Sequence, residues 1–220
     1  MNVMKIVYAR KVVTPEDRAQ ALSVIETVYL QEKQWIRDLE SEIPLDVAER
    51  RDQSWFLVAV DGVPAGVIRL VYDPSLEMPA EYGVTLEPTV DLDVLRRHGR
   101  FVDIGRFMIV PRHRRNIRVV MKLMRAAIIE VVARGYTHFV TDVFEDDPHS
   151  PLQFHTRVLG FERIGTHRHG ELACASSRII LILDIARAYQ QLKRRENKVF
   201  KEVGEGIREV MEARLLAPSV

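Results

Sequence analysis

The stretch Phe101-Val-Asp-Ile-Gly-Arg-Phe-Met-Ile-Val110, followed at once by Pro111-Arg-His-Arg-Arg-Asn-Ile-Arg118, decides how this chain is read. Its first half is a strand and its second a basic turn. A helical pattern comes next, apolar at Val119, Val120, Leu123, Met124, Ala127, Ile128 and Val131, and Gly135 stops it. His138 to Phe144 reads as another strand. Ser150-Pro151 opens a short helix that closes on Leu159-Gly160-Phe161. An arginine-loaded helix start after a buried strand suits an anionic ligand, because unpaired N–H groups and the helix dipole both favour negative charge there.

Working outward, Ile6 to Val13 reads as a first strand. Thr14-Pro15-Glu16-Asp17 is a helix start, with Thr as cap, Pro in the first turn and acids at the positive end. That helix is expected to run to about Trp35, with Ala21, Leu22, Ile25, Val28 and Tyr29 on its apolar face. Trp55 to Val60 and Ala65 to Tyr72 form a hairpin around Asp61-Gly62. Residues 73–99 are a long excursion with a short helix near Leu92 to Arg97. Phe161 to Thr166 and Arg178 to Leu183 are a last antiparallel pair. From Ile185 to Leu216 the chain reads as helix, with so few apolar positions before Val199 that part of it is expected to project or to cover a partner.

The 220 residues carry 47% hydrophobic side chains and a net charge of +1, enough for one sizeable core and too balanced for a surface directed broadly at polyanions. The single cysteine, Cys174, excludes an internal disulfide framework, fits a cytoplasmic location and reads as a small apolar residue. No stretch approaches the roughly 20 apolar residues of a membrane span, and none reads as a signal peptide. Arg112, Arg114, Arg115, Arg118, Lys122 and Arg125 make a local basic patch without aromatic interleaving, so nucleic acid is not an expected partner. His167, Arg168 and His169 lack ligands at metal spacing, and no metal is expected.

This order of elements resembles the GNAT acyltransferase superfamily, where a strand ends in Val-x-Pro and a Gly-rich turn receives the pyrophosphate of acyl-CoA. The resemblance implies an α/β GNAT fold: a mixed central sheet of about six to seven strands flanked by helices, over residues 1–184, with a helical extension over residues 185–220. Arg115-Asn-Ile-Arg118-Val119-Val120 is the matching turn, and Arg118 and Val120 fill its two small positions. Glycine lets backbone approach a phosphate closely; with side chains there, a donor bearing a single phosphate on its pantetheine arm fits better than coenzyme A. A second resemblance is to the acyl-homoserine-lactone (autoinducer) synthases and long-chain N-acyl amino acid synthases. It rests on Val28-Tyr29-x-x-Glu32-x-x-Trp35, Asp52, Gly66-Val-Ile-Arg69-Leu70 and Asp103-Ile-Gly-Arg106. Those enzymes use acyl carrier protein. Asp103 stands where they usually have Glu, and Glu40, Glu42 and Asp46 match their acids only loosely, which favours an ordinary amino acid as acceptor.

These likenesses assign expected roles. The donor thioester, from acyl carrier protein or acyl-CoA, is a co-substrate rather than a tightly bound cofactor; it would lie along Phe107, Ile109 and Val110 and meet Arg115, Asn116, Arg118, Val119 and Val120. Backbone donors near Met108 would hold the oxyanion. Asp103 and Arg106 flank Gly105, and a bulge there would bring both to one side; Asp103 would then take the amine proton or simply pair with Arg106. Arg69 and Arg106 would grip an acceptor carboxylate or pair with Asp52, Asp103 or Glu32. Tyr29, Glu32, Trp35, Phe144 and His155 would line the acceptor or acyl pocket, in contact with lipid product, although plain core packing is the default reading of Tyr29 and Trp35. The usual tyrosine acid before Gly-Phe is Thr156 here; either neighbouring His155 replaces it, although it points elsewhere on the helix, or the thiolate leaves unassisted. Two other readings stay open: a GNAT N-acetyltransferase using acetyl-CoA or acyl-CoA, and a silent GNAT-like domain that binds lipid or a partner.

Overall fold

Thr14 starts α1 (Pro15–Ile25) by accepting a hydrogen bond from the Asp17 amide at 3.1 Å. Arg10 on β1 (Val7–Lys11) in turn donates to Asp17 at 2.6 Å, so the cap also fixes how the helix leaves the strand. The computed structural model describes residues 5–216, apart from residues 175 and 197 and the side chain of residue 205; the outermost residues of the two expected segments, 1–4 and 217–220, lie outside the described residues. α1 does not reach Trp35. It passes into a π-helical stretch, Glu26–Glu32, and Gln34 in the left-handed region (φ 55°) turns the chain back. Trp35 then donates its amide to the Tyr29 carbonyl at 2.8 Å. Periodicity alone carries the pattern through to Trp35 because a π turn keeps neighbouring apolar side chains on nearly the same face.

β2 (Gln53–Val60) and β3 (Val63–Tyr72) form the expected hairpin, with Asp61 and Gly62 both at positive φ as a primed turn demands. The remaining strands are β4 (Thr85–Leu86), β5 (Phe101–Ile109), β6 (His138–Phe144), β7 (Glu162–His167) and β8 (Arg178–Asp184). They make one mixed sheet of eight strands in the order β1-β2-β3-β5-β6-β8-β7-β4. The strand beyond the expected seven is β4, two residues of the 73–99 excursion that pair with the edge of β7. β5 and β6 run parallel only from Phe101 to Ile104 and from His138 to Thr141. Beyond that point β5 follows β3 and β6 follows β8, so the sheet forks. The Thr141 hydroxyl donates to the Ile104 carbonyl at 2.9 Å, at the apex of the fork.

Strand alternation sorts the side chains onto two faces. On one, Ile68, Leu70, Val102, Phe139 and Leu181 pack against α3 (Ile117–Ala133) and three C-terminal helices: α4 (Ile185–Arg195), α5 (Lys198–Val203) and α6 (Arg208–Leu216). The extension therefore folds back rather than projecting: Tyr189, Phe200, Ile207 and Met211 are buried in the main core. Turns at Glu196 (φ 44°) and Gly204–Gly206 break it into short helices, so its apolar residues share one face only after the turns, which a single-helix reading cannot show. On the other face, α1 covers Leu57, Val67 and Met108. The 73–99 excursion, with α2 (Leu92–His98), covers Val140, Ile164, Ile180 and Ile182. Between these two covers lies a cleft of about 1540 Å³ that reaches the fork.

Candidate active site

The register places Arg69 opposite Gly105 and Val67 opposite Met108, so three steps of β5 span two of β3. This is the expected bulge. Its unusual backbone lies at Arg106, in the left-handed region at φ 51°, rather than at the glycine. Gly105 is needed for space: a Cβ there would stand 2.8 Å from Arg69 Nη2, 3.1 Å from Nε and 3.3 Å from Cζ. The Arg69 guanidinium thus lies flat against bare backbone, and the extra residue turns Arg106 onto the face that carries Asp103.

The polar centre of the cleft is built on these three side chains. Arg106 donates from Nε to Glu42 at 2.6 Å, with both groups about nine-tenths buried, and sits over the Tyr29 ring at 5.7 Å. Its Nη2 also lies 3.1 Å from the Glu171 carboxylate. Arg69 is held more loosely, 4.0 Å from Asp103 and 3.6 Å from Glu171. Its Nε is buried without a hydrogen-bond partner among the described residues, as is that of Arg178. Two orphaned guanidinium donors in one cleft are costly unless a ligand completes them.

Two carboxylates on this face have opposite electrostatics. Burial, reinforced by the negative charges of Asp142 and Glu171 against the opposing pull of Arg69, pushes the Asp103 carboxyl up to about 7. Asp142 is also half-buried, but His167 Nε2 at 2.9 Å and Arg178 Nη1 at 3.3 Å hold it below its ordinary value. His167 is itself tied at Nδ1 to the His169 carbonyl at 2.7 Å, so neither ring nitrogen is free. Asp103 is the group poised to exchange a proton near neutrality; Asp142 is a fixed charge.

Other expected residues divide by where the structure puts them. Tyr29, Trp35 and Phe144 form one wall, with the Trp35 ring tilted against both neighbours, 5.4 Å from Tyr29 and 4.2 Å from Phe144. Burial pushes the Tyr29 hydroxyl up to about 12, so it stays protonated. Phe107, Met108, Ile109, Arg115 and Val120 line the fork end of the cleft. Val110, Asn116, Arg118 and Val119 do not: Val110 and Val119 are core residues, and Arg118 is exposed to solvent. Asn116 caps α3 by accepting from the Arg118 amide at 3.2 Å, using a donor that a bound phosphate would want. Glu32 is outside the cleft wall, because both its oxygens are taken by Arg114, which bridges the π-helical stretch to the Ile109 carbonyl. Asp52 is remote from the arginines and pairs with Arg50 at 2.9 Å.

His155 lines the cleft but cannot serve as the expected acid. It is buried, its ring packs edge-on to Phe161 at 4.9 Å, and burial lowers its affinity for a proton. The Pro151 carbonyl 3.0 Å from Nδ1 fixes the one ring proton there, which leaves Nε2 an acceptor. Thr156 is similarly occupied, donating to the Leu152 carbonyl at 2.8 Å.

Sequence reasoning missed Glu42 as the partner of Arg106, missed Asp142, Arg178 and Glu171 as site residues, and weighed His167 only as a metal ligand. Only Asp142 left a trace, a lone acid between Val140 and Phe144 on the face that Asp103 shares. Of the basic residues of the turn and the first turns of α3, Arg112, Arg114 and Arg115 line the cleft, whereas Arg118, Lys122 and Arg125 do not.

Residues 20–179 match the family described as N-acyl amino acid synthase FeeM. No curated protein matches the sequence. Among solved structures, that of FeeM, an N-acyl amino acid synthase from uncultured soil microbes, superposes with a TM-score of 0.64 at 17% identity, over 86% of this chain and 96% of the other. An acyl-CoA N-acyltransferase from Pseudomonas aeruginosa gives 0.52 at 15% identity, over 81% and 99%. The aminoglycoside acetyltransferase AAC(6')-Ib in complex with coenzyme A gives 0.54 at 14%, over 86% and 99%. At these identities the superpositions establish the fold, and the family match spans well over half the chain. The sequence match shows that the chain belongs to the N-acyl amino acid synthase FeeM family and is an N-acyltransferase, built on the fold that these acyltransferases share.

Proposed function

We propose that this enzyme transfers an acyl group from an acyl carrier protein thioester to the α-amine of an amino acid. The observation that carries this reading is the juxtaposition of Arg69 and Arg106 with the neutral-range carboxyl of Asp103 beside the fork. Two guanidinium groups suit a carboxylate in two-point contact, and an α-amino group follows one carbon behind. With the acceptor carboxylate on the arginines, its amine lies toward Asp103. A free α-amine has a pKa of about 7.7–8.0, so a base near 7 removes its proton at modest cost. The neutral nitrogen attacks the thioester carbon, forming the C–N bond. Backbone N–H groups around Met108, on the fork side of the bulge, face the carbonyl oxygen as charge develops. Asp103 passes the ammonium proton to solvent, then takes one of the two N–H protons of the tetrahedral adduct as the C–S bond breaks, and the departing thiolate takes that proton from Asp103. The products are an amide and a free thiol.

Three features favour a carrier-protein donor. Arg118 and Val120 occupy positions where the superfamily keeps small residues, and the Asn116 cap uses one of the amides that a diphosphate needs. Arg112, Arg115, Arg118 and Lys122 form a cationic rim suited to an acidic partner. Mass spectrometry of products after incubation with matched acyl-CoA and acyl carrier protein donors and pooled amino acids tests both halves. An N-acyl amino acid formed only from the carrier-bound donor is the expected result. Product from acyl-CoA alone would refute the donor assignment, and no product from either would refute the acceptor class.

A further inference from the structure

Resting on the acceptor site proposed above, we propose that Glu171 is a tethered stand-in for the acceptor carboxylate and thereby sets the enzyme's selectivity for acceptors that carry one. The Glu171 side chain reaches into the cleft from the β7–β8 loop and sets its carboxylate between the two arginines, 3.1 Å from Arg106 Nη2 and 3.6 Å from Arg69 Nη2. That is the place a free carboxylate would take. The occupancy is loose: Arg69 keeps a buried Nε unpaired, and the Glu171 side chain is 54% exposed. Arg106 does not depend on it, since Glu42 holds that guanidinium through Nε at 2.6 Å. Glu171 is therefore not the strut of this site.

The loop around it is anchored on both sides. Arg168 and His169 donate their amides to the Tyr82 carbonyl at 3.0 and 3.2 Å, Leu172 is buried, and Ala173 donates to the Trp35 carbonyl at 2.9 Å. Only the side chain of Glu171 has to leave, by rotating toward solvent. An acceptor with a carboxylate replaces the lost charge in kind, and its second oxygen can reach the orphaned Nε of Arg69. A carboxylate-free amine offers neither, and leaves Glu171 on the arginines. Selectivity then comes from what the incoming group must displace.

Ligand-observed NMR titration with N-acetylglycine, a carboxylate without a free amine, and with propylamine, an amine without a carboxylate, reads this directly. No acyl donor or turnover is needed, so the result is independent of whether the transfer reaction itself is correctly assigned. Two partly exposed ion pairs would hold Glu171 in place most of the time, so freeing the site should tighten N-acetylglycine binding about three- to tenfold. That gain is expected in E171Q, and also in E171D, which keeps the charge but is one methylene too short to stay on Arg106. Propylamine binding should not tighten in either variant. If E171D binds N-acetylglycine no better than the wild type while E171Q does, the effect is one of field alone and the proposal falls. If both variants bind it more weakly, Glu171 supports the arginines instead of competing for them, and the proposal falls equally.

Discussion

Gly105→Ala is the most searching test of the acceptor site, because it adds a single methyl group to backbone that tolerates one. The glycine is not in the left-handed region, so alanine is not strained by φ. Its Cβ would nevertheless stand 2.8 Å from Arg69 Nη2, where ordinary contact begins near 3.4 Å, so the guanidinium must retreat by about 0.6 Å. A shift of that size breaks a two-point hydrogen-bonded contact with a carboxylate. A hydrogen bond to a charged group is worth about 1.5–3 kcal/mol, or roughly 10- to 150-fold in binding. The expected outcome is a rise in acceptor KM of about 10- to 100-fold, with the donor KM unchanged and a melting temperature within a few degrees of the wild type. Steady-state kinetics with each substrate varied separately give the split. An unchanged acceptor KM in a folded protein would refute the assignment of Arg69 to the acceptor carboxylate. A rise confined to the donor KM would mean that the bulge serves the thioester instead.

Asp103 should impose a rising limb on kcat/KM with an apparent pKa near 7, and D103N should flatten that limb and cost about 10²–10⁴ in rate; a limb that persists in D103N would show that another group is titrating. The same group works against folding. Its carboxyl is raised when folded, so the native protein holds an extra proton between about pH 4 and 7, and stability falls as pH rises through that window. Moving a carboxyl from 3.8 to about 7 is worth at most ~4 kcal/mol, and solvent reaching part of the side chain cuts this to ~1–2 kcal/mol, by which D103N should exceed the wild type in urea unfolding at pH 8. E42A leaves the buried Arg106 guanidinium without its main partner, and should cost about 3–5 kcal/mol of stability, visible as a lower midpoint in the same experiment; an unchanged midpoint would mean that water or Glu171 compensates. H155F should lower kcat by less than about threefold, because the imidazole offers no proton at Nε2; a hundredfold loss would restore it as the thiol acid.

What the sequence determined by itself is local in origin. The Thr14 cap, the Asp61-Gly62 hairpin, the apolar face of α3 and its end at Gly135 each follow from a few adjacent residues, and each stands in the structure where the pattern put it. Their order was enough to identify the superfamily, and the pairing of an acid with Arg106 across Gly105 was enough to expect a bulge. The tertiary structure decided everything that depends on which distant groups meet. Whether Arg106 would find Glu42, 64 positions away, or whether Glu171 would fall between two arginines, is set by how loops cross the open face of the sheet. Periodicity carries no information about such crossings. It likewise could not tell a projecting helix from three short ones folded back, because burial of Phe200 and Met211 is a property of the turns between them. Even the role of Gly105 changed with the fold: the glycine that suggested backbone freedom is there to make room for a guanidinium from the neighbouring strand, and only the strand pairing brings that guanidinium to it.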